Sequence, residues 1–333
     1  MSQVRIIAEA GVNHNGSIER ALEMVDAAAQ AGADTIKFQS FNPDLLVVAS
    51  AAKAEYQMRE TGDGSQLAML RTLHLDRAAH QQLIARCETV GIGFLSSPFD
   101  VESVEMLASL GVQEFKIASG EITDLPVLRA VAQHAESALL STGMATMDEV
   151  DDALTALETA GLERARITLL HCTSEYPAPY DEVNLRAMVE MGRTFSLPVG
   201  YSDHTSGIEV SMAAAALGAV AIEKHFTLDR GLPGPDHAAS LEPDELASLV
   251  GAVDHVAEAL GDTRKTAMPS EKRNAPYARK SIVAARDIAA GELLTEENLT
   301  AKRPGTGLSP MLWDSVVGTR AGRSFSRDEM IAQ

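Results

Sequence analysis

Val199-Gly200-Tyr201-Ser202-Asp203-His204 and Val220-Ala221-Ile222-Glu223-Lys224-His225 are two short apolar runs that each close on a histidine, with helically patterned sequence between them. Runs of this length read as buried strands, and six more of the same kind precede them: Val4 to Glu9, Asp34 to Gln39, Ile92 to Ser97, Glu114 to Ser119, Ala138 to Thr142 and Ile167 to Thr173. Every run ends on a polar or ionisable residue. Eight strands alternating with helices predict an α/β fold, a (β/α)8 TIM barrel, in which the C-terminal strand ends converge on the reaction centre.

The intervening stretches carry helix punctuation. Ser17 reads as an N-cap for a helix with Ala21, Leu22, Val25, Ala28 and Ala29 on its apolar face, and Thr146 with Glu149 forms a capping-box pattern. The last barrel helix opens near Pro243 and closes at Gly261. Between the second and third strands, Phe41 to Gly91 exceeds a normal connection and predicts short helices over Ala54 to Arg59 and Gln66 to Leu73, in the place where barrels build lids and substrate contacts.

The 333 residues exceed the usual barrel of about 250, which leaves room for a second unit. The domains are read as a catalytic barrel over 1–262, a polar linker over 263–279 broken by Pro269 and Pro276, and a compact β-rich tail over 280–333 with turn signals at Ala290-Gly291, Pro304-Gly305 and Gly318. So small a tail needs a surface to dock on. A net charge of -19 argues against nucleic acid or an anionic membrane as partner. No apolar run approaches the roughly 18 residues of a membrane span, and Met1 to Arg5 lacks the marks of a signal peptide, so a cytoplasmic protein is expected. Cys87 and Cys172 are expected to be reduced, with Cys172 packed in the core.

The strand ends supply the chemistry. His204 and His225 end neighbouring strands, close enough to share one divalent metal, or each is satisfied by a local hydrogen bond. Lys37 and Lys116 lie in apolar strand contexts, where an inward lysine binds an anion or, with a depressed pKa, forms a Schiff base. Ser97, Ser119, Ser141 and Ser202 end four different strands, and small hydroxyls converging on two lysines suit a phosphate or carboxylate. Glu9 and Glu121 complete the rim as candidates for hydroxyl recognition or acid/base work, or as ion-pair partners of the lysines. Tyr176 and the loop Gly231 to His237 shape the pocket, and His14 is loop-borne without an assigned direction.

Ala8-Glu9-Ala10-Gly11-Val12-Asn13-His14-Asn15-Gly16, Ile36-Lys37-Phe38-Gln39, Lys116-Ile117-Ala118-Ser119-Gly120-Glu121, Tyr176-Pro177-Ala178-Pro179-Tyr180, Ser202-Asp203-His204-Thr205 and Glu223-Lys224-His225-Phe226-Thr227 together resemble the bacterial sialic acid synthases, in order and over essentially the whole chain. The tail, with Ala278-Arg279-Lys280-Ser281-Ile282-Val283 and Lys302-Arg303-Pro304-Gly305-Thr306-Gly307, resembles their antifreeze-like domain, also called SAF. The resemblance implies condensation of phosphoenolpyruvate with an N-acylated mannosamine-type aldose, giving a nine-carbon 2-keto acid and phosphate by C–O cleavage. It implies His204 and His225 as ligands of manganese or magnesium, and Lys37, Ser97, Lys116, Ser119, Ser141 and Ser202 as the phosphoenolpyruvate site. It gives Glu9 a sugar contact and makes Glu121 the residue that positions or deprotonates water. Asp236, Tyr176, Tyr277 and Arg303 would shape the sugar pocket, the last two from the partner subunit of a domain-swapped homodimer. Members often have Thr at the position of Ser97 and some have Asn at that of Ser174. The acceptor is left between N-acetylmannosamine and its 2,4-diacetamido-6-deoxy relative. The competing readings are a Schiff-base aldolase on the same barrel and a non-enzymatic binding protein working through its tail.

Overall fold

The computed structural model describes residues 4–54, 57–58 and 61–332. The chain folds as two compact units, Met1–Gly261 and Asp262–Gln333.

The first unit is built on eight strands: β1 Arg5–Gly11, β2 Thr35–Ser40, β3 Gly93–Pro98, β4 Glu114–Ile117, β5 Ser137–Ser141, β6 Ile167–Cys172, β7 Val199–Asp203 and β8 Ala221–His225. They pair in the order β3-β2-β1-β8-β7-β6-β5-β4, with every ladder parallel, and β3 lies beside β4 at the seam. This is a TIM-type barrel, nearly closed. The helices that cover it are α1 Ile18–Gln30, α2 Pro43–Leu46, α3 Gln66–Leu73, α4 Arg77–Val90, α5 Val101–Ser109, α6 Leu125–His134, α7 Met147–Ala160, α8 Leu185–Phe195, α9 Glu209–Ala216 and α10 Pro243–Leu260. Their punctuation matches the sequence: the Ser17 hydroxyl accepts from the Arg20 N–H, Thr146 and Glu149 close a capping box, and α10 stops at Gly261. The helix expected over Gln66 to Leu73 is α3, whereas the one expected over Ala54 to Arg59 includes positions outside the described residues.

Period-two alternation sorts each strand. Ile6, Ala8, Ile36, Phe38 and Ile222 face outward into the core shared with α1, α4 and α10, and Phe115, Ile117, Ala138, Leu140 and Leu169 do the same on the opposite side. Ile7, Leu95, Leu139, Leu170 and Ala221 point inward and form an apolar floor inside the barrel. Two residues further along the same strands stand Glu9, Ser97, Ser141, Cys172 and Glu223, all buried, so the next inward layer is polar. Lys224 has the opposite parity to Glu223. Its ammonium lies outside the barrel, 3.1 Å from Asp203 Oδ2, with the Thr205 carbonyl as a further acceptor.

One strand is shorter than its apolar run suggests. β4 ends at Ile117, and Ser119–Glu121 form a 3-10 turn closed by the Glu121 N–H on the Ala118 carbonyl at 3.1 Å. Ser119 and Glu121 are therefore presented by a turn above the sheet.

The second unit has α11 Pro269–Ala278, β9 Ser281–Ala284, β10 Leu299–Lys302 and α12 Trp313–Val316. β9 and β10 pair antiparallel over a small core that includes Ile282, Ile288, Leu294, Leu299 and Phe325. The segment read as an irregular linker thus carries a helix. Pro269 opens it where no N–H is needed, the Glu271 carboxylate accepts the Met268 N–H at 2.8 Å, and Pro276 interrupts only the last turn.

The inward floor predicts a stability cost with a clear origin. Leu170→Ala should destabilise the barrel by about 2–5 kcal/mol through lost burial and a residual cavity, measured by urea unfolding, because its neighbours in the apolar floor are themselves held by the strands around them.

Candidate active site

The polar layer opens into a cavity of about 470 Å³ at the C-terminal ends of the strands. Glu9, Lys37, Ser97, Lys116, Ser119, Glu121, Ser141, Tyr176, Ser202, His204, His225 and Asp236 all line it. The strand-end residues singled out are thereby brought to one place together with Tyr176; of the loop Gly231 to His237 only Pro235 and Asp236 reach the cavity, and His14 does not. That imidazole is fully buried beside the Phe38 ring, with its Nδ1 accepting from the Gly16 N–H at 3.0 Å, and is not part of the cavity wall. Tyr277 and Arg303 belong to the second unit, where the Tyr277 side chain is exposed and Arg303 Nε donates to the Ala278 carbonyl at 2.9 Å.

Charge at the cavity floor is organised around Glu223. Its Oε1 lies 3.6 Å from Lys37 Nζ and 3.7 Å from Lys116 Nζ, and accepts the Ser202 hydroxyl at 3.0 Å. Lys37 also pairs with Glu9 Oε2 at 2.8 Å and donates to Ser97 Oγ at 3.1 Å. Burial works against the charge on Lys37, but Glu223 and Glu9 together outweigh it and hold its pKa above the ordinary lysine value. Lys116 is different: burial lowers its pKa, the repulsion of Lys37 adds to that, and Glu223 only partly offsets them. Burial opposes the Glu223 charge as well, and the two lysines prevail, keeping it ionised.

Above β4 to β6 the hydroxyls converge. Ser119 Oγ accepts the Gly143 N–H at 3.0 Å and sits 3.1 Å from Cys172 Sγ. A Cβ on Gly143 would lie 2.3 Å from Ser174 Oγ and 2.8 Å from both Ser119 Oγ and Cys172 Sγ, so only glycine lets these three groups meet. Cys172 is buried, as expected, and also lines the cavity, because it lies two residues beyond the inward Leu170. Ser141 Oγ is buried without a hydrogen-bond partner, and so is Glu121 Oε2. Burial, reinforced by Asp124 and opposed by Lys116, pushes the Glu121 carboxyl up to about 8.

On the β7 and β8 side stand the histidines, with ring centroids 5.4 Å apart and the Tyr176 ring 4.3 Å from one and 5.3 Å from the other. His204 Nδ1 lies 2.7 Å from the Thr173 carbonyl, so the neutral ring donates there and turns the Nε2 lone pair inward. Burial holds His204 neutral, with a pKa lowered to about 4, and holds His225 well below the usual imidazole value, the latter aided by repulsion from His204. His225 Nδ1 is buried with no hydrogen-bond partner and lies 4.0 Å from Asp236 Oδ2. Asp236 is itself pushed up to about 7 by burial and by Glu9. Among the described residues no group of three or more His, Cys, Asp and Glu forms a ready-made metal cage.

Glu223 and Gln39 were given no role from sequence, yet Glu223 bridges the lysines and Gln39 Nε2 donates to Glu9 Oε1 at 3.1 Å. The signal was present as parity: Glu223 is two residues before His225 on β8, and Gln39 two after Lys37 on β2.

A model of the NeuB family matches residues 24–265, and one of the SAF domain matches 279–333. An N,N'-diacetyllegionaminic acid synthase of Campylobacter jejuni is 50% identical over 334 residues, with 100% of each chain covered. The enzyme of the same name from Legionella pneumophila is 43% identical over 96% of this chain and 91% of its own. Among solved structures, the N-acetylneuraminic acid synthetase of Leptospira borgpetersenii, in complex with citrate, aligns with a TM-score of 0.73 at 35% identity, over 82% of this chain and 90% of that one. Similarity of this extent, carried through both units, means that the chain belongs to the NeuB family, the nonulosonic acid synthases that join phosphoenolpyruvate to a sugar, and ends in an SAF domain.

Proposed function

We propose that this enzyme condenses phosphoenolpyruvate with 2,4-diacetamido-2,4,6-trideoxymannose to give N,N'-diacetyllegionaminate and phosphate. The observation that carries the reading is the pair of buried lysines ringed by Ser97, Ser119, Ser141 and Ser202 in a cavity that also presents two neutral imidazoles, with Ser202 Oγ 3.4 Å from His204 Nε2. The full-length similarity to two legionaminic acid synthases supports the diacetamido sugar over N-acetylmannosamine.

In this reading Lys37 and Lys116 meet the carboxylate and phosphate of phosphoenolpyruvate as point charges, and the serine hydroxyls fix its orientation. Lys116 is then a cation held near Glu223 instead of a Schiff-base nucleophile, and membership of the NeuB family replaces both the aldolase and the non-enzymatic readings. His204 and His225 would hold manganese or magnesium. They fit, since both are neutral, one turns Nε2 inward and the other has a buried nitrogen without a partner. Such an ion supplies Lewis-acid polarisation of the aldehyde. Glu9 and Asp236 hold the sugar so that its aldehyde carbon faces carbon 3 of phosphoenolpyruvate. Carbon 3 bonds to the aldehyde carbon, whose oxygen takes up a proton, and carbon 2 is left electron-poor; water then adds at carbon 2, Glu121 takes its proton, and the C–O bond to phosphate breaks as the new carbon 2 hydroxyl becomes the keto group. We assign catalysis to the barrel over 1–262, with 263–279 as linker. The 280–333 domain and the exposed Tyr277 complete the partner subunit's sugar pocket, with Arg303 beside them, in a swapped homodimer. No helix among the described residues is long and apolar enough to cross a membrane, in keeping with work in the cytoplasm.

The test of the reaction is phosphate release and product mass from phosphoenolpyruvate, manganese and each sugar. Faster turnover of the diacetamido sugar, stopped by a chelator, is expected; faster turnover of N-acetylmannosamine would move the assignment to a neuraminate synthase. A carboxyl with a pKa of about 8 that works as a base gains its active form as pH rises through that value. The pH profile of kcat/KM should therefore climb until about pH 8 and lose that limb in Glu121→Gln. For the swapped arrangement, Arg303→Ala and His225→Ala enzymes, each impaired alone, should regain activity when their subunits are mixed and allowed to exchange. Absence of rescue would place Arg303 at its own subunit's site or at none.

A further inference from the structure

The cavity wall changes character from one side to the other. Above β1 to β3 it is apolar: Val12 follows β1, Phe41 follows β2, Phe99 follows β3, and Met69, Leu70 and Leu73 come down from α3. Val12, Phe41, Met69, Leu70 and Leu73 form a buried cluster separate from the barrel core, and the Phe41 and Phe99 rings meet edge to face at 6.3 Å. Among the described residues that this long β2–α4 excursion contributes to the cavity, the polar ones are Gln57 and Gln66, and none is charged.

The wall is also fixed in place. Ser65 caps α3 by accepting the Ala68 N–H at 3.1 Å. At the other end the Thr72 carbonyl lies where a Cβ on Gly16 would be 2.3 Å away, and Gly16 has φ +74°, so a glycine is needed twice over for the helix to dock against the β1 loop. A loop held this closely presents a shaped surface to a ligand.

We propose that this wall is the acceptor-selecting element: Val12, Phe41, Met69, Leu70, Leu73 and Phe99 receive the methyl groups that a 2,4-diacetamido-6-deoxy sugar carries and a fully hydroxylated hexosamine lacks. The inference rests on the acceptor assigned above and adds which residues enforce it. Two effects act together. Burying the C6 methyl and an acetyl methyl removes apolar area from water, and a hydroxyl placed there loses its water without gaining a partner. An apolar pocket discriminates a single group by roughly tenfold to a few hundredfold, which sets the size of the effect.

The experiment compares kcat/KM of the full-length enzyme, with manganese and saturating phosphoenolpyruvate, for three sugars: the 2,4-diacetamido-2,4,6-trideoxy acceptor, its analogue with the 6-hydroxyl restored, and N-acetylmannosamine. The wild type should lose about tenfold or more on restoring that hydroxyl, a comparison that needs no variant. Met69→Gln and Leu70→Gln should lower kcat/KM for the trideoxy sugar by about tenfold while that for N-acetylmannosamine stays within about threefold and the KM for phosphoenolpyruvate is unchanged. Met69→Leu should keep the wild-type ratio. Equal rates on the two diacetamido sugars, or equal losses on all sugars in the Gln variants, would overturn the wall's role while leaving the acceptor assignment standing. A wild type that uses N-acetylmannosamine and neither diacetamido sugar would overturn both.

Discussion

Two lysines and two glutamates buried together at the heart of a barrel are the constraint around which the rest of this molecule is arranged. Removing one ion from water costs several kcal/mol even after relaxation, and Lys37 and Glu223 accept that cost as ions, while burial pushes the Glu9 carboxyl up and the Lys116 ammonium down. The cluster holds because Glu223 lies between Lys37 and Lys116 while Glu9 takes the other side of Lys37, so no charge is left without an opposite one. Buried ion pairs are in general no more stabilising than well-packed apolar residues of the same volume. What the ions provide instead is two ammonium groups already oriented and already dry, ready for an anionic substrate that must not drift during carbon–carbon bond formation.

The barrel supplies that arrangement through a single geometric rule. Side chains alternate, so an apolar residue at one inward position commits the residue two steps on to the same interior. Ile7 leads to Glu9, Leu95 to Ser97, Leu139 to Ser141, Leu170 to Cys172 and Ala221 to Glu223. The neighbouring Lys224 shows the rule from the other side. It is as deeply buried as Lys37, yet its parity sends it out of the barrel to Asp203, where it ties β7 to β8 and has no access to the cavity. Three buried lysines in apolar strands thus divide into two that face the substrate site and one that holds the scaffold.

Much of this is legible in the amino-acid sequence. The eight apolar runs with helical spacers specify the barrel, and chemistry-bearing residues at their ends point to the cavity because strand ends in this fold converge. The limits were equally physical. The end of β8 displays its last residue, His225, whereas the bridging Glu223 sits one inward position deeper, where sequence alone does not set it apart from the apolar run. Cys172 is buried as its apolar run predicts, but apolar surroundings in sequence do not tell the floor of the barrel from the layer above it, where Cys172 also meets the cavity. Ser119 and Glu121 were read as strand and rim, but a tight turn lifts them over the sheet, and turn geometry depends on hydrogen bonds that periodicity does not encode. The helix Pro269–Ala278 was hidden by two prolines, one harmless at the first turn and the other tolerated in the last.

A catalytic barrel that carries a neutral pair of imidazoles on β7 and β8, and ammonium groups across the floor, faces an electrostatic problem of its own. Protonating either histidine would place another cation near Lys37 and Lys116, and repulsion from these lysines is among the forces that hold His225 neutral, with burial the largest. The same anion-binding charge therefore keeps nitrogen lone pairs available on the neighbouring imidazoles. Asp236 fits this logic: burial and Glu9 push it up to about 7, so close to neutrality it is present in both forms and adds less fixed negative charge beside His225 than an ordinary aspartate would. The site is a balance in which each group's protonation state follows from its neighbours', and the anchor of that balance is the ionised Glu223, which the strand register places between the two lysines.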